Sequence, residues 1–399
     1  MACKMLALLS HEYPPYIFGG VATFSKQVAE WFSERGWRVI AIVGRAGIRE
    51  KVSINKVSDR LIVVRLYFPE IPPRWLLYAR VVRDYVERLA EKGCKVILSN
   101  NPLTSLAIPK NVRSRLRVIT FFHGSIYSLL SLIHYAPFTD YFMLSPYELA
   151  YYSEAPLINC LTKRDLILSD LYVFVAKHVM EEFRDLYIDL AENIQSKGIV
   201  AYPGIEYFQL INLRKNMEKV DTDKIIIAFI GRLYYAKGIV YAVKAVESLV
   251  YNLNVRDVEF WIFGKGPLEQ WVRSYIRKDK DLGNRVKLVG FVKRERLLTI
   301  LTRYVDVLLH PSLYEGAPLA IIEACTLGIP VVTYDLLWAK EFVFDGINGY
   351  KEPYPFIDKL ADGIIQALKL RNKIPLNLAE KYDRTKTFTK LENIIASMM

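Results

Sequence analysis

The 399-residue chain lacks the features that mark secreted, zinc-binding and membrane-spanning proteins. Its four cysteines lie far apart without C-x-x-C spacing, which argues against a disulfide framework and against a zinc site. No apolar run approaches the roughly 20 residues that a membrane-spanning helix needs. The opening MACKMLALLS is typical of a buried first strand rather than of a signal peptide. We therefore expect a cytoplasmic protein, with peripheral contact at the inner face of the membrane as the alternative.

The positive charge is unevenly distributed along the chain. The net charge is +12, and residues 45–117 hold 16 Lys and Arg against 6 Asp and Glu. A solvated basic surface explains this excess, and attraction to anionic lipid headgroups or to a phosphorylated acceptor is the alternative. No RNP, KH, zinc-finger or helix-turn-helix pattern accompanies the charge, so we expect no nucleic-acid partner.

Apolar strands and amphipathic helices alternate in two successive passes along the chain, which predicts two α/β domains with parallel sheets. We expect an N-terminal Rossmann-like domain over residues 1–205 and a C-terminal Rossmann-like domain over residues 206–375. Residues 376–399 are predicted to form a last helix that packs back on the first domain. The charged stretch NLRKNMEKVDTDK places the linker near residues 204–222.

Residues 126–160 are aromatic and apolar without a clear period. Packed helices are the favoured interpretation, because scattered aromatic residues usually belong to a core. A lid over an acceptor site and a patch that contacts a membrane are the alternatives.

Residues 310–334, HPSLYEGAPLAIIEACTLGIPVVTY, carry the most specific pattern. A strand is predicted to end at Pro311–Ser312, and a short helix follows a loop that contains Gly316, Ala317, Pro318 and Leu319. The start of such a helix leaves backbone N–H groups unpaired and carries the positive end of the helix dipole. Diphosphate groups bind at sites of this kind.

Glu315 and Glu323 lie eight positions apart in this segment. On a continuous helix they would be about 12 Å apart, whereas the paired carboxylates of a retaining glycosidase are about 5–5.5 Å apart. The spacing instead suits two carboxylates that hold opposite ends of one long ligand, Glu323 at a ribose and Glu315 at the transferred sugar. Two unrelated surface glutamates are the alternative, which the apolar neighbours of Glu323 disfavour.

Basic and glycine residues follow several predicted strands. Arg232 and Lys237 in GRLYYAKG are predicted to point towards the phosphates of a leaving nucleotide, where two cations would stabilise the developing charge. Gly19 and Gly20 precede the first helix and allow a close approach of backbone to a phosphate or a sugar. His123 ends a strand at the carboxyl edge of the first sheet, where open α/β sheets bind ligands. Exposed loop cations, a tight turn and a buried histidine are the respective structural alternatives.

Taken together, these motifs resemble glycosyltransferase family 4, whose segment EGxPLxxxEAxxxGxPVV appears here as EGAPLAIIEACTLGIPVV. The resemblance also covers the first-loop Gly-Gly, the HG after a strand, YPGIE at the domain junction, and GRLxxxKG. It implies the GT-B fold, in which two Rossmann-like domains face a cleft, with residues 1–205 as the acceptor-side domain and residues 206–375 as the nucleotide-sugar-binding domain. It also implies a retaining, nucleotide-sugar-dependent enzyme, with Arg232 and Lys237 at the phosphates and His123 beside the donor sugar.

The resemblance assigns two further loops to the donor. Gly264 and Gly266 in FGKGP correspond to a GxG turn near the nucleotide sugar, and Phe291 and Val292 belong to the loop that flanks the base. FGKGP is not a dinucleotide fingerprint, because its third glycine is missing. We expect no cofactor and no metal ion, since the DxD-like Asp279-Lys-Asp281 lies in a charged run that is typical of a helix end.

The sequence thus predicts a hexosyltransferase that uses a UDP- or GDP-sugar, keeps the anomeric configuration and needs no metal. The acceptor is expected to be a sugar, a lipid-linked sugar or another glycan. Two alternatives of other classes stay open. A sugar-nucleotide epimerase or phosphorolytic enzyme of the same fold would act without this acceptor, and a binding module would bind nucleotide without turnover.

Overall fold

The chain folds into two compact units, each built around its own sheet. A computed structural model describes residues 4–16, 20–44, 50–69, 74–100 and 104–399. One unit comprises Met1–Leu129, Ala150–Gly204 and Thr385–Met399, and the other comprises Leu130–Leu149 and Ile205–Arg384. The prediction of two parallel-sheet α/β domains is confirmed.

The sheet of the first unit has eight strands in the order β3-β4-β2-β1-β5-β6-β7-β8. Only β3 runs antiparallel to its neighbour, and the other pairs are parallel. The strands are β1 Met5–Ser10, β2 Arg38–Gly44, β3 Val52–Lys56, β4 Leu61–Leu66, β5 Val96–Ser99, β6 Arg117–Phe122, β7 Leu171–Phe174 and β8 Gly198–Val200.

Both faces of the central strands of this sheet are buried, which explains why these strands are almost wholly apolar, whereas the edge strand β3 is mostly exposed. In β1, Leu6 and Leu8 belong to one core, whereas Ala7 and Leu9 belong to the core on the other face. The helices of the first half of the chain are α1 Gly20–Glu34, α2 Arg74–Glu91, α3 Thr104–Ala107, α4 Lys110–Arg113, α5 Tyr127–Tyr135, α6 Pro146–Ser153, α7 Ala155–Leu168, α8 Lys177–Leu186 and α9 Ala191–Lys197.

The second unit contains a six-stranded, wholly parallel sheet in the order β11-β10-β9-β12-β13-β14. Its strands are β9 Ile225–Ile230, β10 Val258–Phe263, β11 Val286–Gly290, β12 Val307–Leu309, β13 Val331–Tyr334 and β14 Gly349–Glu352. The remaining helices are α10 Tyr207–Asn216, α11 Ile239–Tyr251, α12 Glu269–Arg277, α13 Lys280–Arg285, α14 Arg294–Tyr304, α15 Leu319–Thr326, α16 Ala339–Phe342, α17 Ile357–Leu368 and α18 Arg384–Ser397. Four 3₁₀ segments complete the list: Phe138–Met143, Ile188–Leu190, Tyr235–Lys237 and Leu376–Tyr382.

The two ends of the predicted last helix lie in different places. Residues 376–382 form a 3₁₀ segment that groups with the second unit, and α18 follows it. Phe388, Leu391 and Ile395 of α18 are fully buried in a core of the first sheet.

Residues 126–160 form helices, in line with the favoured prediction. Within this stretch, residues 130–149 group with the second unit, although the linear division at residue 205 placed them in the first domain. Asp140 accepts a hydrogen bond from the Tyr235 hydroxyl at 2.7 Å. The Glu148 carboxylate accepts the backbone N–H of Ala236 at 3.3 Å. Both contacts therefore end on the 3₁₀ turn that carries Lys237.

The boundary between the two units at residues 204 and 205 lies within the predicted linker over residues 204–222, and helix α10 occupies Tyr207–Asn216 of that range. Tyr207, Leu210 and Ile211 are buried along one face of α10, which is helical spacing. The basic residues Arg214 and Lys215 of the charged stretch lie in the last turn of this helix. Among the described residues, no helix is both long enough and apolar enough to cross a lipid bilayer.

Candidate functional site

The loop that follows β12 is held against the start of α11 by backbone contacts. The Leu313 N–H donates to the Ala236 carbonyl at 2.8 Å, and the Ser312 hydroxyl donates to the same oxygen at 3.2 Å. Gly238 has a φ of +75°, and a Cβ there would lie 1.9 Å from the Pro311 carbonyl oxygen. Only glycine fits this approach, so the pattern Lys237-Gly238 places the lysine directly beside the loop.

Lys237, Glu315 and His310 meet at one carboxylate oxygen. Lys237 Nζ lies 2.6 Å from Glu315 Oε1, and His310 Nε2 lies 2.9 Å from the same atom. Burial opposes the ionisation of Glu315, but the charge of Lys237 and the contact with His310 outweigh it and hold its pKa well below the usual range. The group therefore keeps a negative charge that is matched by Lys237.

The short helix α15 begins where the sequence predicts it. Pro318 occupies its N-cap position, and the Pro318 carbonyl accepts the N–H groups of Ile321 and Ile322. Within the part of the chain that the structure describes, the backbone N–H groups of Gly316, Ala317, Leu319 and Ala320 have no acceptor. These donors lie in the segment that directly follows Glu315, and they can bind an anion.

Glu323 projects from α15 and is held by an arginine of another helix. Arg294, the first residue of α14, donates to Glu323 Oε1 through Nε at 2.9 Å and through Nη2 at 2.5 Å. The side chain of Glu323 is 12% exposed. Because both contacts end on Oε1, the second oxygen keeps its capacity to accept hydrogen bonds from a ligand.

Arg232 is an exposed cation of this region. Its guanidinium lies 5.2 Å from the centre of the Tyr234 ring. No acidic side chain of the described residues lies within ion-pair distance of it. Arg232 is therefore available to a negatively charged ligand, whereas Lys237 is shared with Glu315.

The two glycines of FGKGP are explained by a close approach of two loops. A Cβ at Gly264 would lie 1.8 Å from the Gly231 carbonyl oxygen, and one at Gly266 would lie 2.6 Å from that of Leu233. The N–H of Leu233 donates to the carbonyl of Lys265 at 3.0 Å. The glycines thus set the position of the loop that carries Arg232, and their contact with a donor stays a prediction.

The next loop presents an exposed aromatic side chain. Phe291 is 70% exposed, and Val292 beside it is half-buried. They follow Gly290, whose φ of +80° turns the chain after β11. An exposed ring in this position is available to stack on a flat ligand group.

His123 lies in the first unit, at the end of β6. Its Nε2 contacts the amide oxygen of Asn100, and its ring meets the edge of Phe24 with centroids 5.3 Å apart. Burial lowers the pKa of His123 to about 4, so the imidazole is neutral near pH 7. Gly20 is the first residue of α1, and Gly19 lies outside the described residues.

The DxD-like residues serve a helix end, as the sequence indicates. The Asp279 carboxylate accepts the N–H groups of Asp281 and Leu282 and caps α13. Asp281 pairs with Arg256 at 3.2 Å and with Arg285 at 2.9 Å. Among the described residues, no group of three His, Cys, Asp or Glu side chains is arranged to hold a metal ion.

Three partners of the predicted residues were missed by sequence reasoning. His310 directly precedes the predicted strand end at Pro311–Ser312, but nothing in the sequence assigns it a role beside Glu315. Arg294 lies 29 residues before its partner Glu323, and Asn100 lies 23 residues before its partner His123. Asn100 follows the end of β5 at the same sheet edge as His123, which is the one signal that identifies it in advance.

Comparison with known families gives two matches that together span most of the chain. Residues 18–205 match the family model described as Glycosyltransferase Family 4, and residues 212–386 match the model described as Glycosyl transferases group 1. The two parallel sheets and these matches define a glycosyltransferase of the GT-B type. The chain belongs to glycosyltransferase family 4.

Similar proteins cover nearly the whole chain. An uncharacterized glycosyltransferase of Methanocaldococcus jannaschii is 26% identical over 86% of this chain and 84% of its own length. The sucrose-phosphate synthase of Thermosynechococcus elongatus has a TM-score of 0.76 at 17% identity, over 99% of both chains. The Anabaena protein HepE, solved with UDP and glucose, has a TM-score of 0.68 at 18% identity, over 99% of this chain and 100% of that chain. At these identities the solved structures show a shared fold.

Proposed function

We propose that this protein is a retaining glycosyltransferase that moves a hexose from a nucleoside-diphosphate sugar to a hydroxyl acceptor without a metal ion. The observation that carries the proposal is the set of donors around Lys237: the unpaired N–H groups before and at the start of α15, and the exposed Arg232. A diphosphate matches this set in charge and in hydrogen-bonding capacity.

Each predicted site residue of the second domain then has a proposed role. Lys237 carries three N–H donors, and Glu315 Oε1 takes one of them, so two can serve phosphate oxygens. Arg232 adds a second cation. As the leaving diphosphate gains charge, both cations stabilise the transition state more than the ground state, which removes the need for a divalent ion.

Glu323 and Glu315 are proposed to bind the two ends of the donor. Glu323, fixed by Arg294, accepts hydrogen bonds from the ribose hydroxyls, and Glu315 both orients Lys237 and holds the transferred sugar. Phe291 and Val292 flank the base of the donor nucleotide. UDP is the first choice for this nucleotide, because the similar Anabaena protein was solved with UDP. In the first domain, His123 holds a hydroxyl of the sugar.

The proposed reaction proceeds through an oxocarbenium-like transition state with retention. The bond between the anomeric carbon and the diphosphate breaks, and the acceptor oxygen forms its bond on the same face. The departing phosphate oxygen takes the acceptor proton, so no protein nucleophile is required. The sequence offers no carboxylate pair at glycosidase-like spacing for a double displacement.

For the acceptor we propose a hydroxyl compound that carries negative charge, such as a lipid-linked or phosphorylated sugar. The support is the basic region of the first domain, where Lys51, Lys56, Arg80, Arg83 and Arg88 are exposed. Attraction between such a surface and an anionic acceptor raises the rate of encounter.

The test is a transfer assay with UDP-, GDP- and ADP-hexoses in the presence of EDTA. The acceptors are glucose, a sugar phosphate and a polyprenyl-diphosphate sugar in vesicles, and product anomers are assigned by NMR. We expect metal-independent transfer with retention, and faster transfer to the anionic acceptors. Inversion or strict dependence on a divalent ion contradicts the mechanism. Conversion of the donor without any acceptor indicates an epimerase, and tight nucleotide binding without turnover indicates a binding module.

A further inference from the structure

A chain of buried polar side chains leads away from His123 into the first domain. Asn100 donates through Nδ2 to Ser25 Oγ. The Ser25 hydroxyl can donate to Ser10 Oγ or to the Val21 carbonyl oxygen, both at 2.8 Å, and Ser10 donates to the Glu12 carbonyl at 2.7 Å. Asn100 is 1% exposed, and both serines are fully buried. The His123 Nε2 atom meets the other end of this chain at Asn100 Oδ1.

The direction of these hydrogen bonds determines the orientation of the Asn100 amide. Its Nδ2 also faces the Val21 carbonyl oxygen at 3.4 Å, so the reverse orientation would bring two oxygens together. The reverse orientation would also require the single Ser25 proton for the amide, and neither of the other two acceptors of that proton, Ser10 Oγ and the Val21 carbonyl oxygen, both at 2.8 Å, could then receive it.

With the amide oxygen facing His123, the imidazole must carry a proton on Nε2. We propose that Asn100 is a positioning residue that fixes His123 as the Nε2–H tautomer and reserves its Nδ1 lone pair for a hydroxyl group of the ligand. Within the described residues, His123 Nδ1 has no protein partner. The edge contact with Phe24 restrains the ring on a second side.

The fixed tautomer has a consequence for ligand choice. A lone pair accepts a hydrogen bond from a neutral hydroxyl, whereas it repels a carboxylate or a phosphate oxygen. The ligand group at His123 is therefore a hydroxyl of a neutral sugar rather than the acid group of a uronic acid. This assignment rests on the proposed function, but the tautomer itself does not.

The tautomer is measured by long-range ¹H–¹⁵N correlation NMR on protein labelled in its five histidines. His123→Gln assigns the signal. We expect the Nε2–H pattern in the wild type, and a mixture of the two neutral tautomers in Asn100→Leu. Ser25→Ala, which leaves Asn100 in place but removes its acceptor, should give a tautomer ratio between those of the wild type and Asn100→Leu. Asn111→Ala, an exposed asparagine of the same domain, should leave the spectrum unchanged.

An Nδ1–H tautomer in the wild type overturns the proposal, as does an unchanged His123 signal in a folded Asn100→Leu protein. The ligand assignment is tested with donors that lack one hydroxyl at a time. One deoxy donor should lose about 10-fold in kcat/KM with the wild type, the size of a net hydrogen bond, and should show no loss with Asn100→Leu. Equal losses in both proteins refute the ligand assignment. If no donor is turned over, the proposed function fails, whereas the NMR result still decides the tautomer.

Discussion

Replacing Lys237 by Met tests how the charges at the carboxylate of Glu315 depend on one another. The lysine side chain is 22% exposed and the glutamate 10%, and their charged atoms lie 2.6 Å apart. Removing one partner of a buried ion pair costs about 3–5 kcal/mol, because the remaining charge is left without compensation. His310 still contacts the glutamate in this variant, so we expect a loss of about 3 kcal/mol, at the lower end of that range.

Replacing the other partner should have a smaller effect. In Glu315→Gln the amide oxygen still accepts a hydrogen bond from Lys237, whose ammonium group can also reach water. We expect a loss of about 1–2 kcal/mol, comparable to a weakened hydrogen bond to a charged group. The double variant should be more stable than Lys237→Met alone, since no buried charge is left unpaired.

The assay is urea unfolding of the four proteins at pH 7 and pH 4. The pKa of Glu315 is depressed in the native protein, so the stability from its pair is present above pH 4.5 and is lost as the pH falls through the native pKa. In Lys237→Met the carboxylate can take up a proton, so the deficit relative to wild type should shrink at pH 4. The control is the exposed pair Arg273–Glu269, whose cycle should show a coupling of less than about 0.5 kcal/mol.

Additive losses in the Lys237 and Glu315 cycle would refute this reasoning, because they would mean that neither charge depends on the other. A double variant that is less stable than Lys237→Met would do the same. Either result would leave the 2.6 Å contact without energetic significance.

Two further predictions concern the second domain and a matched glycine. Gly264→Ala should lower the free energy of unfolding by more than about 3 kcal/mol, because φ is +136° and the new methyl group would overlap the Gly231 carbonyl. The control is Gly93→Ala, where φ is +87° and nothing lies within 4 Å of the new methyl group. This variant should lose only about 1–2 kcal/mol in the same urea assay. Burial, reinforced by two nearby aspartates, raises the pKa of Glu352 to about 6. The native protein therefore favours the protonated side chain, and the stability that this gives is full below pH 4.5 and is lost as the pH rises through 6. Glu352→Gln should therefore stabilise the protein by about 2 kcal/mol at pH 7 and leave its stability unchanged at pH 4. The exposed Glu295→Gln is the control and should change the stability at neither pH. Equal melting temperatures for Glu352→Gln and wild type at pH 7 would contradict the pKa shift.

The elements that the sequence predicted well are those whose signals are local. β12, the loop before Pro318 and helix α15 follow from a buried apolar strand, a proline and a short apolar helix, which are read within 25 residues. The same holds for β1, the buried first strand predicted in the opening MACKMLALLS. Here local propensity and tertiary packing favour the same structure.

The errors and omissions concern contacts between distant residues. The glycines at 264 and 266 were visible, but their reason is the backbone of residues 231–233 on another loop. Similarly, nothing near Asp140 indicates that it bonds Tyr235, 95 residues later, and so joins the second unit. The short strands β3, β8 and β14 were missed because they lie at sheet edges, where the apolar pattern is weak.

The central claim is that α15 and Lys237 bind the diphosphate of a nucleotide sugar. A crystal structure of the protein with a non-transferable nucleoside-diphosphate hexose tests it most directly. The account predicts diphosphate oxygens within hydrogen-bond distance of the Leu319 N–H and Lys237 Nζ, and ribose hydroxyls on the Glu323 carboxylate. A donor bound elsewhere, with these three groups making no contact to it, would contradict the account.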